Sequence, residues 1–399
     1  MTSARDVVVV GAGPAGCATA ILLAEAGHDV LVLEREQFPR DHIGESLLPL
    51  GTGVLSRLGL ELPETVFRFK RGAQFICEAT DRQLDVSFEE AFPGPPRHAW
   101  QVNRAEFDML LRDRARAVGA EVRHGVHVRG VEIQPDHVEV QTTDEVFMGR
   151  HLIDATGQGR LMARHAKAVE PFSEFGVAAA YQHFEGVGEE AVGDHGDIRI
   201  MLHHQGWGWA IPLPGDRLSV GLVTRDKGAK PSLVESFVAG SPLLSGWTQG
   251  CARTEPRLIG NYSYRNQASY GRRYGCVGDA ACFLDPVFSS GVSLALAGAA
   301  RTADVLGPAL EAGRESDPNL LAPVGAEMQA AYTAFASLIG RFYHTRIVDN
   351  LFFGAEEGAD FRRGIVSILA GDVWRDDNPF QNMLAKSRRH MPAALTATA

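Results

Sequence analysis

The feature that most constrains the fold of this chain is a glycine-rich loop near its N-terminus. A β-branched run from Val7 to Val10 precedes Gly11-Ala12-Gly13-Pro14-Ala15-Gly16, and an apolar segment with helical spacing follows. A second strand-like run, Val30 to Leu33, ends at Glu34, eighteen residues after Gly16. This order of strand, GxGxxG loop, helix, strand and acid is typical of a dinucleotide-binding βαβ unit. The chain is therefore predicted to begin with a parallel sheet that helices cover.

Each fixed position of this unit has a physical role. The first glycine permits the tight turn, the second lets the backbone approach a pyrophosphate, and the third lets helix and strand pack closely. The N-terminus of the helix adds partial positive charge, and Glu34 is placed to accept hydrogen bonds from ribose hydroxyls. A purely structural glycine turn is the alternative, which the spacing disfavours. The predicted dinucleotide contacts here are Gly11, Gly13, Pro14, Ala15, Gly16 and Glu34.

Composition excludes several classes of function. The net charge of −10 and the pI near 5.8 argue against a nucleic-acid partner, which would need a basic surface. No run of 18 apolar residues and no signal-like N-terminus is present, so we expect a soluble, cytoplasmic protein with no membrane contact. The 5 cysteines are scattered without metal-binding spacing, which predicts neither a disulfide nor a metal site.

Two further motifs lie far downstream of the glycine loop. Trp207-Gly208-Trp209-Ala210-Ile211-Pro212 predicts an edge strand with both indole rings on one face, because strand side chains alternate. Two ordinary core aromatics are the alternative explanation of that pair. Gly278-Asp279 follows a strand-like run, and Phe283-Leu284-Asp285-Pro286-Val287-Phe288-Ser289-Ser290-Gly291 leads into a long alanine- and leucine-rich helix.

Together these motifs resemble those of the flavin-dependent halogenases, in the superfamily of FAD-dependent aromatic hydroxylases. The family pattern includes W-x-W-x-I-P and F-x-x-P-x-x-S-x-G, and the chain matches both at every fixed position. The resemblance extends from residue 5 to about residue 375. It implies an enzyme in which reduced FAD (FADH2) and O2 give C4a-hydroperoxyflavin, and chloride or bromide is converted to hypohalous acid. That acid then halogenates an electron-rich arene.

The resemblance also assigns flavin contacts. Asp279 would bond to the ribityl or ribose chain, and the helix that begins near Gly291 and Val292 would direct its amides at the isoalloxazine ring. Arg104 matches a flavin-contacting arginine, although the sequence alone also allows a surface arginine near a helix start. The segment Asp41–Pro49, which includes Ile43 and Ser46, would run along the flavin.

Halide, barrier and catalytic roles follow from the same resemblance. Chloride or bromide would lie against the backbone amides of Ser290 and Gly291, where an ordinary helix N-cap is the alternative. Trp207 and Trp209 would separate flavin from substrate. Lys70 matches the active-site lysine, and we expect desolvation, together with Arg68 and Arg71 if they are near, to lower its pKa. A solvated lysine in a basic run is the alternative.

One departure from the family pattern bears on the substrate. Tryptophan halogenases carry a glutamate directly before the motif serine, and this chain has Phe288 there. The sequence thus resembles the branch that acts on pyrroles and phenols, often on a carrier protein. The predicted partners are a small aromatic substrate, free or attached to an acyl or peptidyl carrier protein, and a separate flavin reductase, since no second glycine fingerprint is visible. An aromatic hydroxylase and a non-catalytic flavoprotein are the alternatives.

An acidic carrier protein would need a local basic surface on this acidic chain. Candidate residues for that surface are Arg341, His344, Arg346, Arg362, Arg363, Lys386, Arg388, Arg389 and His390. Solvated helix faces are the ordinary explanation of such charges.

The predicted fold class is α/β, with two interleaved domains. Residues 1–66, 100–165 and 256–330 are assigned to an FAD-binding, Rossmann-like domain of the GR2, hydroxylase-like type. Residues 67–99 and 166–255 are assigned to an antiparallel sheet on the substrate side, because alternating apolar positions dominate there. Residues 331–399 are assigned to a C-terminal helical region.

Overall fold

The computed structural model describes residues 4–94, 96–176, 178–260, 262–344, 359–386, 391–392 and 395. It is a mixed α/β structure with two large sheets and a C-terminal helical segment, as the sequence predicts.

The strands in chain order are β1 Arg5–Val10, β2 Val30–Glu34, β3 Phe67–Lys70, β4 Gly72–Cys77, β5 Arg82–Ser87, β6 Ala99–Val102, β7 Glu121–His124, β8 Val128–Ile133, β9 Val138–Thr142, β10 Val146–Asp154, β11 Val169–Pro171, β12 Ala178–Glu185, β13 Ile198–His203, β14 Gly206–Leu213, β15 Arg217–Thr224, β16 Ala252–Arg253, β17 Arg257–Gly260, β18 Tyr264–Asn266, β19 Tyr270–Gly271, β20 Tyr274–Cys276 and β21 Cys282–Phe283.

The helices are α1 Pro14–Glu25, α2 Pro49–Arg57, α3 Arg104–Ala117, α4 Leu161–His165, α5 Glu189–Val192, α6 Leu233–Gly240, α7 Pro242–Thr248, α8 Ser290–Glu311, α9 Ala322–His344, α10 Ala359–Leu369 and α11 Pro379–Lys386. Single 3₁₀ turns occupy Glu78–Thr80, Phe88–Glu90, Gly157–Gly159, Gly278–Ala280 and Pro286–Phe288.

The first sheet is the nucleotide-binding sheet, with strand order β19-β20-β10-β1-β2-β7 and the β8-β9 hairpin attached to β10. Strands β20, β10, β1, β2 and β7 run parallel, and β1 is buried between its two neighbours. Helices α1 and α8 pack together against this sheet and share its apolar cluster. The β-branched run of β1 therefore forms the doubly covered strand that its composition predicts.

The second sheet faces the first across the interior of the molecule. Its strand order is β16-β12-β15-β14-β13-β4-β5, with β17 also on β12, and every pairing except β13 with β4 is antiparallel. The prediction that Trp207–Pro212 forms an edge strand is wrong, because β14 is hydrogen-bonded to β13 on one side and to β15 on the other. Burial on both faces of an interior strand explains its nearly continuous apolar sequence.

The chain passes several times between the two sheets. Strands β4 and β5 belong to the second sheet although they lie between α2 and α3 of the nucleotide-binding part. Strands β3 and β6 pair with each other, so the proposed boundaries at 66/67 and 99/100 divide a two-stranded sheet. The proposed boundary at 330/331 lies inside α9, which packs against α8 and α11. Element packing therefore connects the three proposed regions closely.

Candidate active site

A cavity of about 770 Å³ lies between the two sheets. One end is formed by the glycine loop and Glu34, and the other by Trp207 and Trp209. The predicted site residues that line it are Gly11, Gly13, Pro14, Ala15, Glu34, Ile43, Ser46, Arg104, Trp207, Trp209, Asp279, Gly291 and Val292. Three predicted residues, Gly16, Lys70 and Ser290, lie behind that lining. The structure thus brings most of the predicted site into one continuous space.

The glycine loop is shaped by close backbone approaches. Gly11 has φ of +104°, and a Cβ there would overlap the carbonyl oxygen of Ala155. A Cβ on Gly16 would overlap the carbonyl oxygen of Gly11, because α1 crosses directly over the loop. By contrast, a Cβ on Gly13 would meet only Arg40 Nη2, at 3.4 Å. The first and third glycines therefore serve packing, whereas the second leaves the backbone open toward the cavity.

Glu34 ends β2 with its carboxylate beside the loop. Its Oε2 accepts a hydrogen bond from the backbone N–H of Ala12 at 2.8 Å, and its Oε1 accepts one from the N–H of Glu36 at 2.9 Å. The residue is only 3% exposed and lines the cavity. These two bonds fix the carboxylate where further donors, such as ribose hydroxyls, can reach its remaining lone pairs.

Arg104 is a buried residue, 4% exposed, at the start of α3. Its Nε donates to Asp108 Oδ1 at 2.9 Å, and its Nη1 donates to the carbonyl oxygen of Ile43 at 2.6 Å. Burial and the nearby Arg104 lower the pKa of His42 to about 4, so that imidazole is neutral at pH 7. The surface-arginine alternative is excluded, because the guanidinium anchors the segment Asp41–Pro49 from inside.

Asp279 lies in the short turn after β20 and lines the cavity. Its Oδ2 accepts a hydrogen bond from Gln158 Nε2 at 3.3 Å, and burial raises its carboxyl pKa to about 6. The carboxylate keeps lone pairs free toward the cavity, as a sugar-like chain of hydroxyls would require.

Lys70 is buried at 1% exposed, at the end of β3. Its Nζ donates to Ser46 Oγ and to the carbonyl oxygen of Leu47, both at 2.8 Å. Burial lowers the pKa of this amine to about 7, with a small opposing effect of Asp197. Neither predicted arginine contributes to that shift: Arg71 is paired with Asp197 at 2.7 Å, and Arg68 donates to Leu213.

A neutral lysine amine fits the surroundings of Lys70. It has two N–H bonds and one lone pair, and the two acceptors, Ser46 and Leu47, use both N–H bonds. Ser46 itself lines the cavity, so its hydroxyl connects the buried amine with that space. The solvated-lysine alternative is thereby excluded.

The two tryptophans lie on the same face of β14, with ring centroids 6.0 Å apart. Trp209 Nε1 donates to Ser219 Oγ at 3.1 Å, and its ring occupies the space that a side chain at Gly221 would fill. Trp207 Nε1 donates to Tyr343 Oη at 3.0 Å. Both indoles are therefore held in fixed positions at the end of the cavity.

The start of α8 separates two cavities. Ser289 and Gly291 line the large cavity, whereas Ser290 and Gly291 line a second one of about 10 Å³, which suits one water-sized species. Ser289 has φ of +56° and its hydroxyl makes no capping bond, so the alternative of an ordinary side-chain N-cap does not hold for Ser289. The first N–H groups of α8 therefore receive no capping hydrogen bond from Ser289.

The sequence alone indicated no role for three polar residues around this site, Asp285, Tyr343 and His183. Asp285 lies inside the recognised motif, but its partner Tyr343 belongs to α9 and carried no signal. His183 Nε2 lies 2.6 Å from Glu45 Oε1, which lines the cavity. These contacts join distant segments, which spacing along the sequence does not reveal.

The residues around the cavity fit FAD. The glycine loop offers an open backbone at Gly13, Glu34 and Asp279 offer acceptors for hydroxyls, and the start of α8, which lines the same cavity, offers amides that Ser289 does not cap. Among the described residues, no cluster of side chains could hold a metal ion, and no helix is long and apolar enough to cross a membrane.

Comparison with known proteins identifies relatives along nearly the whole chain. The tryptophan halogenase family matches residues 6–91 and 78–365. The 1H-pyrrole-2-carbonyl-[peptidyl-carrier protein] brominase of Pseudoalteromonas luteoviolacea is 28% identical over 96% of this chain and 97% of its own. The corresponding chlorinase of Pseudomonas fluorescens is 29% identical over 92% and 89%.

Solved structures share the fold. A flavoprotein/dehydrogenase from Cytophaga hutchinsonii superposes with a TM-score of 0.84 at 27% identity, covering 95% of this chain and 96% of that one. A myxobacterial chondrochloren halogenase, described as an FAD-dependent halogenase, gives 0.77 at 30% identity, with coverage of 95% and 93%. The chain belongs to the tryptophan halogenase family and is a halogenase that uses FAD and a halide ion.

Proposed function

We propose that this enzyme halogenates a pyrrolyl group attached to a carrier protein, with a phenolic substrate as the second candidate. The observation that carries this proposal is the near-full-length similarity to two enzymes that are named for a pyrrole-2-carbonyl group on a peptidyl carrier protein. Phe288, in place of the glutamate of tryptophan halogenases, supports a substrate other than tryptophan. Reduced flavin would come from a separate reductase.

The cofactor would be held by the residues that line the large cavity. We assign the pyrophosphate to the amides of the glycine loop, with Gly16 acting through packing, and the ribose hydroxyls to Glu34. Asp279 would contact the ribityl chain, and Ile43, Ser46, Arg104, Gly291 and Val292 would surround the ring. Bound reduced FAD supplies the activation of O2 that turns halide into hypohalous acid.

The halide is proposed to bind against the amides of Ser290 and Gly291. The small cavity at the start of α8 matches a single small species, and free amides favour an anion. Trp207 and Trp209 would close the cavity toward the substrate, so that hypohalous acid leaves the flavin side but the substrate does not enter it.

Lys70 is proposed as the residue that carries the halogen. The lone pair of its neutral amine attacks the halogen of hypohalous acid, an N–X bond forms, the X–O bond breaks, and water leaves with one amine proton. The arene then takes the halogen from nitrogen, and the ring proton it loses restores the N–H bond. Ser46, which lines the cavity and accepts from Nζ, marks where hypohalous acid would approach.

Carrier docking would require basic side chains near the substrate side. Of the candidates, Arg362 is paired with Glu90 and Arg363 lies over the Phe92 ring at 5.5 Å. Arg341, His344 and Lys386 are also described, whereas Arg346, Arg388, Arg389 and His390 lie outside the described residues. Arg363 and Lys386 are both exposed, and the ring contact of Arg363 does not neutralise its charge, so both remain candidates.

Product mass spectrometry tests the proposal. The enzyme would be supplied with FAD, a flavin reductase, NADH and chloride or bromide, and offered pyrrole-2-carbonyl on a carrier protein, the free pyrrole acid and a phenol. We expect a mass gain of one or more halogens, with their isotope pattern, on the carrier-bound pyrrole. A gain of one oxygen would identify a hydroxylase, and faster halogenation of the free acid or the phenol would overturn the carrier assignment.

A further inference from the structure

Three side chains from separate parts of the chain, the buried Trp207 and Asp285 and the half-buried Tyr343, form a hydrogen-bonded relay. Trp207 Nε1 donates to Tyr343 Oη at 3.0 Å, and Tyr343 Oη donates to Asp285 Oδ2 at 2.8 Å. Trp207 belongs to β14, Tyr343 to α9 and Asp285 to the segment directly before α8. The relay therefore links the tryptophan wall with the segment that leads to the proposed halide amides.

The relay has one consistent direction of donation. A tyrosine hydroxyl carries one proton, which goes to Asp285, and its oxygen accepts the indole N–H, which can only donate. Asp285 also accepts from the backbone N–H of Gly176 at 3.1 Å and of Val287 at 3.1 Å. The bond to Tyr343 alone satisfies the single N–H donor of the Trp207 indole.

The surroundings of these three side chains are tightly packed. A Cβ at Gly176 would lie 3.0 Å from both Asp285 Oδ2 and Tyr343 Oη, and it would overlap Val223. Trp207 and Asp285 are 1% and 2% exposed. If the Tyr343 hydroxyl were removed, the indole N–H would lose its 3.0 Å acceptor and would have only the Asp285 carboxylate within reach, while Asp285 would lose a donor.

We propose that Tyr343 is a positioning residue that holds the Trp207 indole and the Asp285–Gly291 segment in one fixed arrangement. In this fixed arrangement the two tryptophans close the cavity. Hypohalous acid that forms at the start of α8 therefore stays inside the protein until it reaches Lys70. This role rests on the proposed function, since it presumes that the halogen species moves from the α8 side to Lys70.

The test compares Tyr343→Phe with Tyr274→Phe. Tyr274 likewise donates its hydroxyl in a hydrogen bond, to the backbone carbonyl oxygen of Ala268 at 3.3 Å, but it lies on β20 of the nucleotide-binding sheet. For each variant, halogenated product per reduced flavin oxidised is measured, together with hypohalous acid released to a halogen-accepting dye in solution. For Tyr343→Phe we expect product per flavin to fall by at least roughly fivefold. Released hypohalous acid should rise, while flavin content and flavin oxidation rate stay unchanged.

A second readout does not depend on turnover. The near-ultraviolet circular dichroism of the FAD-free protein should change in Tyr343→Phe, because the Trp207 ring loses its fixed orientation, and should be retained in Tyr274→Phe. Trp207→Phe removes the donor at the other end, so it must cause the same release of hypohalous acid. The double variant should add nothing to either single change, since both remove one contact.

The outcomes separate this proposal from the proposed function. If wild type and Tyr343→Phe halogenate the dye equally, the positioning role of Tyr343 is overturned. It is also overturned if Tyr274→Phe increases dye halogenation as much as Tyr343→Phe does. A wild-type enzyme that halogenates the dye but none of the offered arenes would instead refute the proposed substrate. In that case dye halogenation and near-ultraviolet circular dichroism of the variants would still test the positioning role of Tyr343.

Discussion

The two ends of the large cavity are built in different ways. At the glycine-loop end, the decisive contacts are local: Gly16 packs on Gly11, and Glu34 accepts from Ala12, 22 positions away. At the tryptophan end, Trp207 is bonded to Tyr343 across 136 positions, and Asp285 to Gly176 across 109. Most of the cofactor end is therefore specified within one βαβ unit, with Ala155 against Gly11 and Asp279 as its distant parts, whereas the chemical end exists only once distant elements have packed together.

The largest expected effect is at the glycine-loop end of the cavity, where the contacts are local. Gly16→Ala should prevent a stable, FAD-containing protein, because its Cβ would overlap the Gly11 carbonyl and neither backbone can move without separating α1 from β1. Gly13→Ala is the matched control, since its Cβ meets only the flexible Arg40 side chain at 3.4 Å. The ratio of flavin to protein absorbance and the thermal unfolding temperature measure both variants.

For the control variant we expect the stability of the fold and the affinity for FAD to respond differently. Gly13→Ala should fold with an unfolding temperature near that of the wild type and bind FAD more weakly, because the methyl group projects into the cavity. If Gly16→Ala folds and retains FAD as well as Gly13→Ala does, then packing at this loop is not what defines the cofactor end.

The second effect concerns the amine at the chemical end. Lys70→Met fills the same space without the amine, so we expect halogenation to fall by about 10²–10³-fold, with flavin content and flavin oxidation retained. Lys227→Met, in an exposed turn, is the control and should change neither quantity. Loss of FAD from purified Lys70→Met would make Lys70 a structural residue, contrary to the division between the two ends.

The pH dependence of turnover sharpens the same point. Burial lowers the pKa of Lys70 to about 7, so the neutral amine forms as the pH rises through that value. If the lone pair carries the halogen, the rate of halogenation should increase tenfold per pH unit below about pH 7 and level off above it. A rate that falls over the same range would assign the role to the ammonium form, as a hydrogen-bond donor.

The sequence predicted the cofactor end more completely than the chemical end. The glycine loop, Glu34 and the parallel strands follow from local patterns of spacing and burial, and the structure places them as a unit. For Lys70, the family resemblance supplied the residue, and the expected desolvation lowers its pKa, whereas the neighbouring arginines do not contribute to the shift. Tyr343 could not be predicted, because one tyrosine in an apolar helix gives no sign of a partner more than 130 positions away.

The smallest expected effect lies where the two ends meet. His183, on β12 of the second sheet, contacts Glu45 of the segment Asp41–Pro49 at 2.6 Å. Burial lowers the pKa of His183, but the Glu45 carboxylate outweighs burial, and the net pKa is raised above the usual 6.5. The pair therefore stabilises the fold fully below about pH 6.5, and this stabilisation is lost as the pH rises through the raised pKa.

His183→Gln should accordingly lower the free energy of unfolding by on the order of 1 kcal/mol at pH 6, and by much less at pH 9. His137→Gln is the control, because the pKa of His137 is also raised by acidic neighbours, Asp136 and Glu139, but Asp136 is exposed and solvent screens such surface pairs. Thermal unfolding of both variants at the two pH values measures the difference. An equal loss at pH 6 and pH 9 would mean that His183 acts through packing alone. The contact between His183 and Glu45 would then stabilise the fold without a contribution from charge.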